Sequence, residues 1–341
     1  MRFLKRLVFA ALLLASLAAG WLVWFALTPV VLNNPVGAEK PLDFTIPAGY
    51  GLRAVSQRLV DEGMGFSPWQ FTVLARLLGK AGAIQAGSYE VEAGVTPWQL
   101  LDKLTRGDVS QGALLFVEGM TFRQLRAILD AHPELRHDTA GLSDAEILAL
   151  IGAEEKHPEG LFFPDTYLFT KRSSDAELLR RAYRAMQQRL AQAWEARAPG
   201  LPLKTPYEAL ILASIVEKET GLAEDRPLVA SVFVNRLRIG MALQTDPTVI
   251  YGMGEKFDGN LRKRDLQTDT PYNTYRRPGL PPTPIAMPGQ AALQAALQPA
   301  HSDKLYFVAR GDGSSAFSRN LGEHNRAVTQ YQRRKERENR R

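Results

Sequence analysis

"ALILASIVEKETG", Ala209 to Gly221, is apolar for most of its length and then sets Glu217 and Glu219 on either side of Lys218. The apolar run predicts a core helix that starts near Thr205–Pro206, with proline at its first position. At about 100° per residue, Leu212 and Ile215 lie within about 40° of Glu219, whereas Glu217 points about 160° away. Glu219 is therefore the carboxyl on the apolar stripe. Such surroundings disfavour its charged form, and a helix ending at Gly221 would add the negative end of the helix dipole in the same sense. A glutamic acid that keeps its proton near neutral pH is a general acid. The same pattern also fits a surface helix end whose carboxylates meet water and Lys218, and periodicity alone does not separate the two.

The 341 residues, 45% apolar and 23% charged, suit a folded chain of two or three compact units. The formal net charge of +6 is concentrated in Arg2, Lys5 and Arg6 and in the tail "YQRRKERENRR", so the body between them is nearly neutral and no nucleic-acid groove is implied. No cysteine is present, which excludes disulfides and thiolate metal sites. From Leu7 to Leu32 no charge occurs, and roughly 20 apolar residues suffice to cross a bilayer. Basic residues precede this run, so the expected orientation is N-terminus cytoplasmic and body exported, with Trp21, Trp24 and Phe25 as an outer aromatic belt. The apolar run outlasts the h-region of a cleaved signal peptide, which favours an uncleaved anchor.

Beyond a linker stiffened by Pro35 and Pro41, three segments share one plan: "FTIPAGYGLRAVSQRL", "YEVEAGVTPWQLLDKL" and "LFVEGMTFRQLRAIL". Each reads as a strand, a glycine turn (Gly49, Gly94, Gly119) and a helix whose paired apolar residues (Val55 and Leu59, Leu100 and Leu104, Leu125 and Leu129) share a face. Thr96 with Gln99 and Thr121 with Gln124 form capping boxes. Small βα units of this kind resemble LysM-like modules, which bind N-acetyl sugars.

From about Leu142 amphipathic helices follow. Between them, "HPEGLFFPDTYLFT" reads either as an aromatic core plug or as a surface on which sugar rings stack. "LQTDPTVIYGMG" and "TPYNTYRRPGLPPTPIAMPG" read as loops, their prolines blocking regular structure. Their tyrosines, amides and hydroxyls suit an uncharged polyhydroxylated ligand. "KLYFVAR" reads as a strand, and the HNRAV segment opens a last helix. The five histidines are scattered without a metal-binding pair, and neither G-x-S-x-G nor a P-loop occurs. His324 reads as a cap or hydrogen-bonding group rather than a base.

In order along the chain, "EGLFFPDTYLF", "ASIVEKET", "SVFVNRLRIGMALQTDPTVIYGMG", "YNTYRRPGLPPTPIAMPG" and "LGEHNRAV" resemble the successive motifs of the YceG-like endolytic murein transglycosylases. The resemblance implies an α+β chain: a cytoplasmic tail over 1–6, one transmembrane helix over 7–29, a linker over 30–41, a LysM-like module over 42–110, a mixed α/β lytic transglycosylase domain over 111–332 and a basic tail over 333–341. It implies Glu219 as the catalytic acid, matching the second glutamate of the E-K-E motif, with Glu217 in a structural role. Substrate contacts are expected from Asp165, Tyr167, Gln244, Asp246, Tyr251, Tyr272, Asn273, Thr274 and Tyr275. Ser315, Thr283 and Met287 depart from the family pattern, which puts in doubt any substrate contact carried over to them. No metal or cofactor is expected.

The implied activity is endolytic cleavage of the β-1,4 bond between N-acetylmuramic acid and N-acetylglucosamine in nascent peptidoglycan. It leaves 1,6-anhydro ends and terminates strand elongation. The chain would work in the bacterial inner membrane, its catalytic domain periplasmic, beside peptidoglycan synthases of the penicillin-binding class. A non-catalytic glycan-binding scaffold and a hydrolytic muramidase using Glu219 and Asp246 are the alternatives.

Overall fold

Helix α1, Arg2–Leu27, stops two residues before Pro29, because proline disfavours helical geometry in the residue before it. The computed structural model describes residues 2–33 and 41–333. Most of the expected linker and nearly all of the basic tail lie outside the described residues. The chain divides into two compact units, Met1–Gly112 with Leu168–Ser173, and Ala113–Tyr167 with Ser174–Arg341.

In the first unit α1 is followed by β1 (Leu42–Ile46), α2 (Leu52–Asp61), α3 (Pro68–Leu77), β2 (Gly87–Val91) and α4 (Pro97–Arg106). β1 and β2 pair antiparallel, with Phe44 opposite Tyr89 and their rings 5.7 Å apart. Val55, Leu59, Leu100 and Leu104 are each no more than 1% exposed, as one apolar face per helix requires. The turn glycines 49 and 94 have φ of 83° and 91°, a region costly for any residue with a Cβ. α3 and α4 start alike, "SPWQ" and "TPWQ", with the Ser67–Gln70 and Thr96–Gln99 capping boxes and proline in the first turn.

The end of α1 belongs to this core. Phe25, Ala26 and Val30 are buried in it, and Trp21 stacks on Trp69 at 5.2 Å. Phe25, which the sequence assigns to an aromatic belt, is a core residue instead, because α3 and α4 pack around that turn. Val30, Val31 and Asn33, the start of the expected linker, are strapped down: Val30 N donates to Val95 O, Asn33 N to Gly63 O, and Gly65 N to Val31 O. A Cβ on Gly63 or Gly65 would lie 2.6 or 2.8 Å from the carbonyl oxygen it faces, so only glycine permits this approach.

The chain continues through β3 (Gln111–Leu115), α5 (Phe122–Ala131), α6 (Asp144–Ile151), β4 (Thr166–Thr170), α7 (Asp175–Glu195), α8 (Pro206–Glu219) and α9 (Arg226–Arg238). It ends with α10 (Asp246–Met253), α11 (Lys263–Gln267), α12 (Gln290–Leu297), β5 (Tyr306–Ala309), β6 (Ser315–Ser318) and α13 (Leu321–Val328). β3 pairs with β4, and β5 with β6. The second unit is built around α8, which touches α7, α9, α10 and α12. Every residue from Ala209 to Val216 is buried, so this helix has no solvent face over two turns, and the apolar stripe inferred from periodicity is in fact a whole apolar surface.

One further sequence reading changes, and one left open is decided. "DPTVIYGM" is helix α10 rather than loop: Pro247 lies in its first turn, where the missing N–H is no loss, and so begins the helix instead of breaking it. The aromatic loop 161–163 is core, with Leu161 and Phe162 at 0% and Phe163 at 5% exposure, and Phe162 stacked on Phe122 at 5.2 Å.

The packing of α1 onto its unit is measurable. Phe25→Ala should cost about 3 kcal/mol in the denaturant unfolding of this unit in the detergent-solubilised full chain, whereas Leu13→Ala, on the exposed part of α1, should change it by less than about 0.5 kcal/mol. Equal effects would show that the end of α1 is not part of the core.

Candidate active site

The buried run of α8 ends in three polar residues, each met by a different part of the second unit. Glu217 accepts a hydrogen bond from the backbone N of Gly289, the residue before α12, at 2.9 Å. Lys218 Nζ donates to Gly119 O at 3.1 Å, on the third glycine turn, where φ is 76°. Glu219 Oε1 accepts from the hydroxyl of Thr245, the residue before α10. The helix stops there, with Thr220 extended at φ −146°.

Glu219 is half-buried, and its pKa is raised above the ordinary glutamate value. Burial is the largest cause; the Thr245 hydrogen bond opposes it, the charge of Asp246 adds to it and that of Arg236 subtracts. Among the described residues Oε2 takes no hydrogen bond, so one oxygen is fixed and the other is free to face a ligand.

Thr245 is itself held on several sides. Its N donates to Thr274 Oγ1 at 3.1 Å, its carbonyl accepts from Thr248 Oγ1 at 2.8 Å, and the Thr248 and Thr274 hydroxyls are 2.8 Å apart. Gln244, just before it, has φ +49°, left-handed for a residue with a Cβ, and its N donates to Thr274 O at 3.1 Å. Arg236, 6% exposed, clamps the same segment by donating from Nη1 to Leu243 O at 2.6 Å and from Nε to Leu305 O at 2.7 Å. Its guanidinium lies 5.3 Å from the Tyr306 ring, on which His324 stacks at 5.2 Å. His324 does not cap α13, a role that Asn320 fills, and burial holds its imidazole pKa down.

The expected contact residues separate into groups. Asp246 is exposed beside Glu219 and accepts from Tyr275 Oη at 2.6 Å. Thr274 is buried behind Thr245, and Gln244 is exposed. Asn273 is fully buried; its amide donates to Leu266 O at 3.0 Å and Thr268 O at 2.6 Å and its oxygen accepts from Tyr275 N, so it holds the loop. Tyr251 and Tyr272 meet edge to face at 4.9 Å and line a cleft of about 1180 Å³ with Phe122, Arg123, Lys218 and Ile250. Glu219 does not line that cleft; the adjacent Lys218 does. Tyr167 is buried, donates to Phe163 O at 2.8 Å and packs on Phe116, while Asp165 is exposed. No hydrogen bond or ring contact among the described residues joins Asp165 or Tyr167 to the Glu219 cluster.

The three positions that depart from the family pattern have structural partners. Thr283 shares a hydrogen bond with Tyr272 Oη at 2.9 Å, Met287 exchanges backbone bonds with Gly119 and Met120, and Ser315 N donates to Asp225 at 2.6 Å. Asp130, His137 and Asp175 approach one another closely, but the Asp175 carboxylate already accepts from Thr139 and Ala176.

Sequence reasoning missed Thr245, Arg236 and above all Glu159. Glu159 lines the cleft at 3% exposure, Oε1 accepting from Phe122 N at 3.0 Å and Oε2 from Tyr251 Oη at 3.1 Å. Burial, the dominant cause, raises its pKa from 4.5 to about 7. The one available signal was an acidic residue inside an otherwise apolar aromatic motif.

That shift has a defined sign. Below pH 4.5 both folded and unfolded chains hold the proton; between 4.5 and 7 the unfolded chain releases it and the native state does not, so stability falls as pH rises and levels off above 7. The stability of the wild type minus that of Glu159→Gln should therefore drop by about 3 kcal/mol across this window in urea unfolding. A difference independent of pH would mean that Glu159 ionises normally.

The comparisons with known proteins agree on one family. The YceG-like family model matches residues 44–330. An endolytic murein transglycosylase of Bacillus subtilis is 32% identical over 86% of this chain and 86% of its own length. One from Streptococcus pneumoniae is 28% identical over 95% of this chain, which spans 64% of that longer relative. A putative YceG-like protein of Listeria monocytogenes, solved by crystallography, superposes with a TM-score of 0.54 at 31% identity, covering 84% of this chain and 99% of that one. With a match across nearly its whole length after α1, the chain belongs to the YceG-like family.

Proposed function

We propose that this protein is an endolytic peptidoglycan lytic transglycosylase with Glu219 as its acid and base. It cleaves the β-1,4 bond between N-acetylmuramic acid and N-acetylglucosamine in nascent strands, releases 1,6-anhydro ends and so ends strand elongation. The observation that carries this reading is the carboxyl of Glu219: its pKa raised by burial, tied through Oε1 to Thr245, and open at Oε2.

Oε2–H protonates the bridging oxygen as the bond from the muramyl anomeric carbon to it breaks. The resulting carboxylate then takes the proton of the muramyl 6-hydroxyl as that oxygen bonds to the anomeric carbon, restoring Glu219. No water is consumed, so the second carboxylate of an ordinary glycosidase is unnecessary, and the intramolecular hydroxyl supplies the effective concentration. Asp246 and Tyr275, beside Glu219, and the tyrosine-lined cleft next to Lys218 are the candidate sugar contacts. Helix α1, long and apolar enough to cross a membrane over Phe3–Leu27, serves as a single-pass inner-membrane anchor with the remainder periplasmic. Residues 42–110 act as a LysM-like glycan-holding module, and peptidoglycan synthases are the partners that supply the strand.

Glu219→Gln should fold with an unchanged unfolding midpoint yet yield no anhydro product from uncrosslinked glycan, read by mass spectrometry. Anhydro ends from that variant would overturn the assignment, reducing ends from the wild type would mean hydrolysis, and intact strands from the wild type would leave a binding scaffold. Thr245→Val removes a hydrogen bond that lowers the Glu219 pKa. The alkaline limb of its pH–rate profile should move to higher pH while its maximal rate falls about tenfold or more through lost orientation. An unmoved limb would show that Thr245 does not act on Glu219.

A further inference from the structure

The first unit has no slack between its core and α1. Residues 30–33 are hydrogen-bonded to Val95, Gly63 and Gly65, Phe25 is buried in the core, and Trp21 is stacked flat on Trp69 of α3, 12° from parallel. Wherever the last turns of α1 sit in a bilayer, the start of α3 sits with them.

Helix geometry gives that depth. Arg6 and Trp21 are separated by 15 residues, about 22 Å of rise, less than the ~30 Å of a hydrocarbon layer. With Lys5 and Arg6 at the inner headgroups, Trp21 lies inside the outer edge of the hydrocarbon, and the layer ends near Leu27, about 32 Å from Arg6. Tilt carries Trp21 deeper. Trp69, 57% exposed, is brought to the same level by its stacking on Trp21, and Trp24, one turn further along α1, is exposed as well. The composition of its segment agrees independently: the 13 residues from Gly63 to Ala75 contain no charge. Exposed indoles on an uncharged helix start suit the boundary between acyl chains and headgroups.

We propose that the first unit is seated in the outer leaflet of the membrane that α1 crosses, with Trp69 and the first turn of α3 immersed at the headgroup–acyl boundary. This rests on the reading of α1 as a membrane anchor. The occupant of the surface is phospholipid. The domain is thereby held at the membrane by two attachments, the span and the indole collar beside it.

The absence of cysteine makes the test direct. Single nitroxide labels at Leu13→Cys, Trp69→Cys and Arg106→Cys are compared in the full chain, reconstituted in phosphatidylethanolamine–phosphatidylglycerol vesicles, by collision with lipid-soluble oxygen and with a water-soluble nickel chelate. Leu13 and Trp69 should favour oxygen over nickel several-fold relative to Arg106, at the far end of α4. Oxygen preference at Leu13 with nickel preference at Trp69 would overturn the seating and leave the anchor intact. Nickel preference at Leu13 would overturn the anchor and the seating together, and a Trp69 label shielded from both probes would mean a protein covers it and would overturn the lipid assignment. Because the label removes the indole, tryptophan quenching by phospholipids brominated on the acyl chains is measured as well. Trp69→Phe should lower the quenched fraction relative to wild type; an unchanged fraction would overturn the proposal.

Discussion

Helix α8 is buried on every side through Val216, and the candidate site follows from that constraint. A helix surrounded by core up to Val216 brings its last polar groups out among other protein segments, where an unpaired buried group would cost several kcal/mol; of the three, Lys218 also reaches solvent. Glu217, Lys218 and Glu219 are answered by Gly289, Gly119 and Thr245, which lie 72, 99 and 26 residues away along the chain. The start of α12, the third glycine turn and the start of α10 are thus gathered at one point, and placing α8 places all three.

The Thr245 partner carries strain with it. A left-handed conformation costs a residue with a Cβ roughly 1–2 kcal/mol, and Gln244 adopts it at φ +49°. The surroundings outweigh that: Arg236 holds the carbonyl of Leu243, Thr274 accepts from Gln244, and Thr245 is bonded at N, O and Oγ1, each neutral bond contributing on the order of 1 kcal/mol. A strained residue persists only where its neighbours over-determine it, and such residues gather at functional sites. The buried arginine serves chiefly as a clamp on backbone carbonyls, with an electrostatic side effect on Glu219.

How much of this was legible in the sequence depended on how local the cause was. The capping boxes, the glycine turns and the paired apolar residues of each βα segment act within one turn of chain, and they read correctly. The start of α8 at Thr205–Pro206 did too. The stripe argument for Glu219 rested on a solvent face that α8 lacks, so the periodicity carried less than it seemed, and the family motifs carried the choice between the glutamates. Proline was read by one of its two habits, breaking structure, where at Pro247 the other applied. Glu159 was out of reach because its meaning comes from Phe122 and Tyr251, 37 and 92 residues distant, and no spacing rule connects them.

Three carboxyls of the second unit have a raised pKa, Glu159, Glu217 and Glu219, and hydrogen bonding separates the first from the other two. Glu159 has a donor on each oxygen, one a backbone N–H and one the phenol that links it to α10. Both its oxygens are engaged by protein donors, and its shift is a consequence of packing. Glu219 has one oxygen fixed and one open, which orients the group without occupying it. A high pKa keeps a proton available, but only an unengaged oxygen in a fixed frame lets it be handed to a leaving group and taken back. By that criterion Glu159 is set aside, whereas Glu217, held by Gly289 at one oxygen, meets it as Glu219 does, and the choice of Glu219 as the candidate donor rests on the family motif.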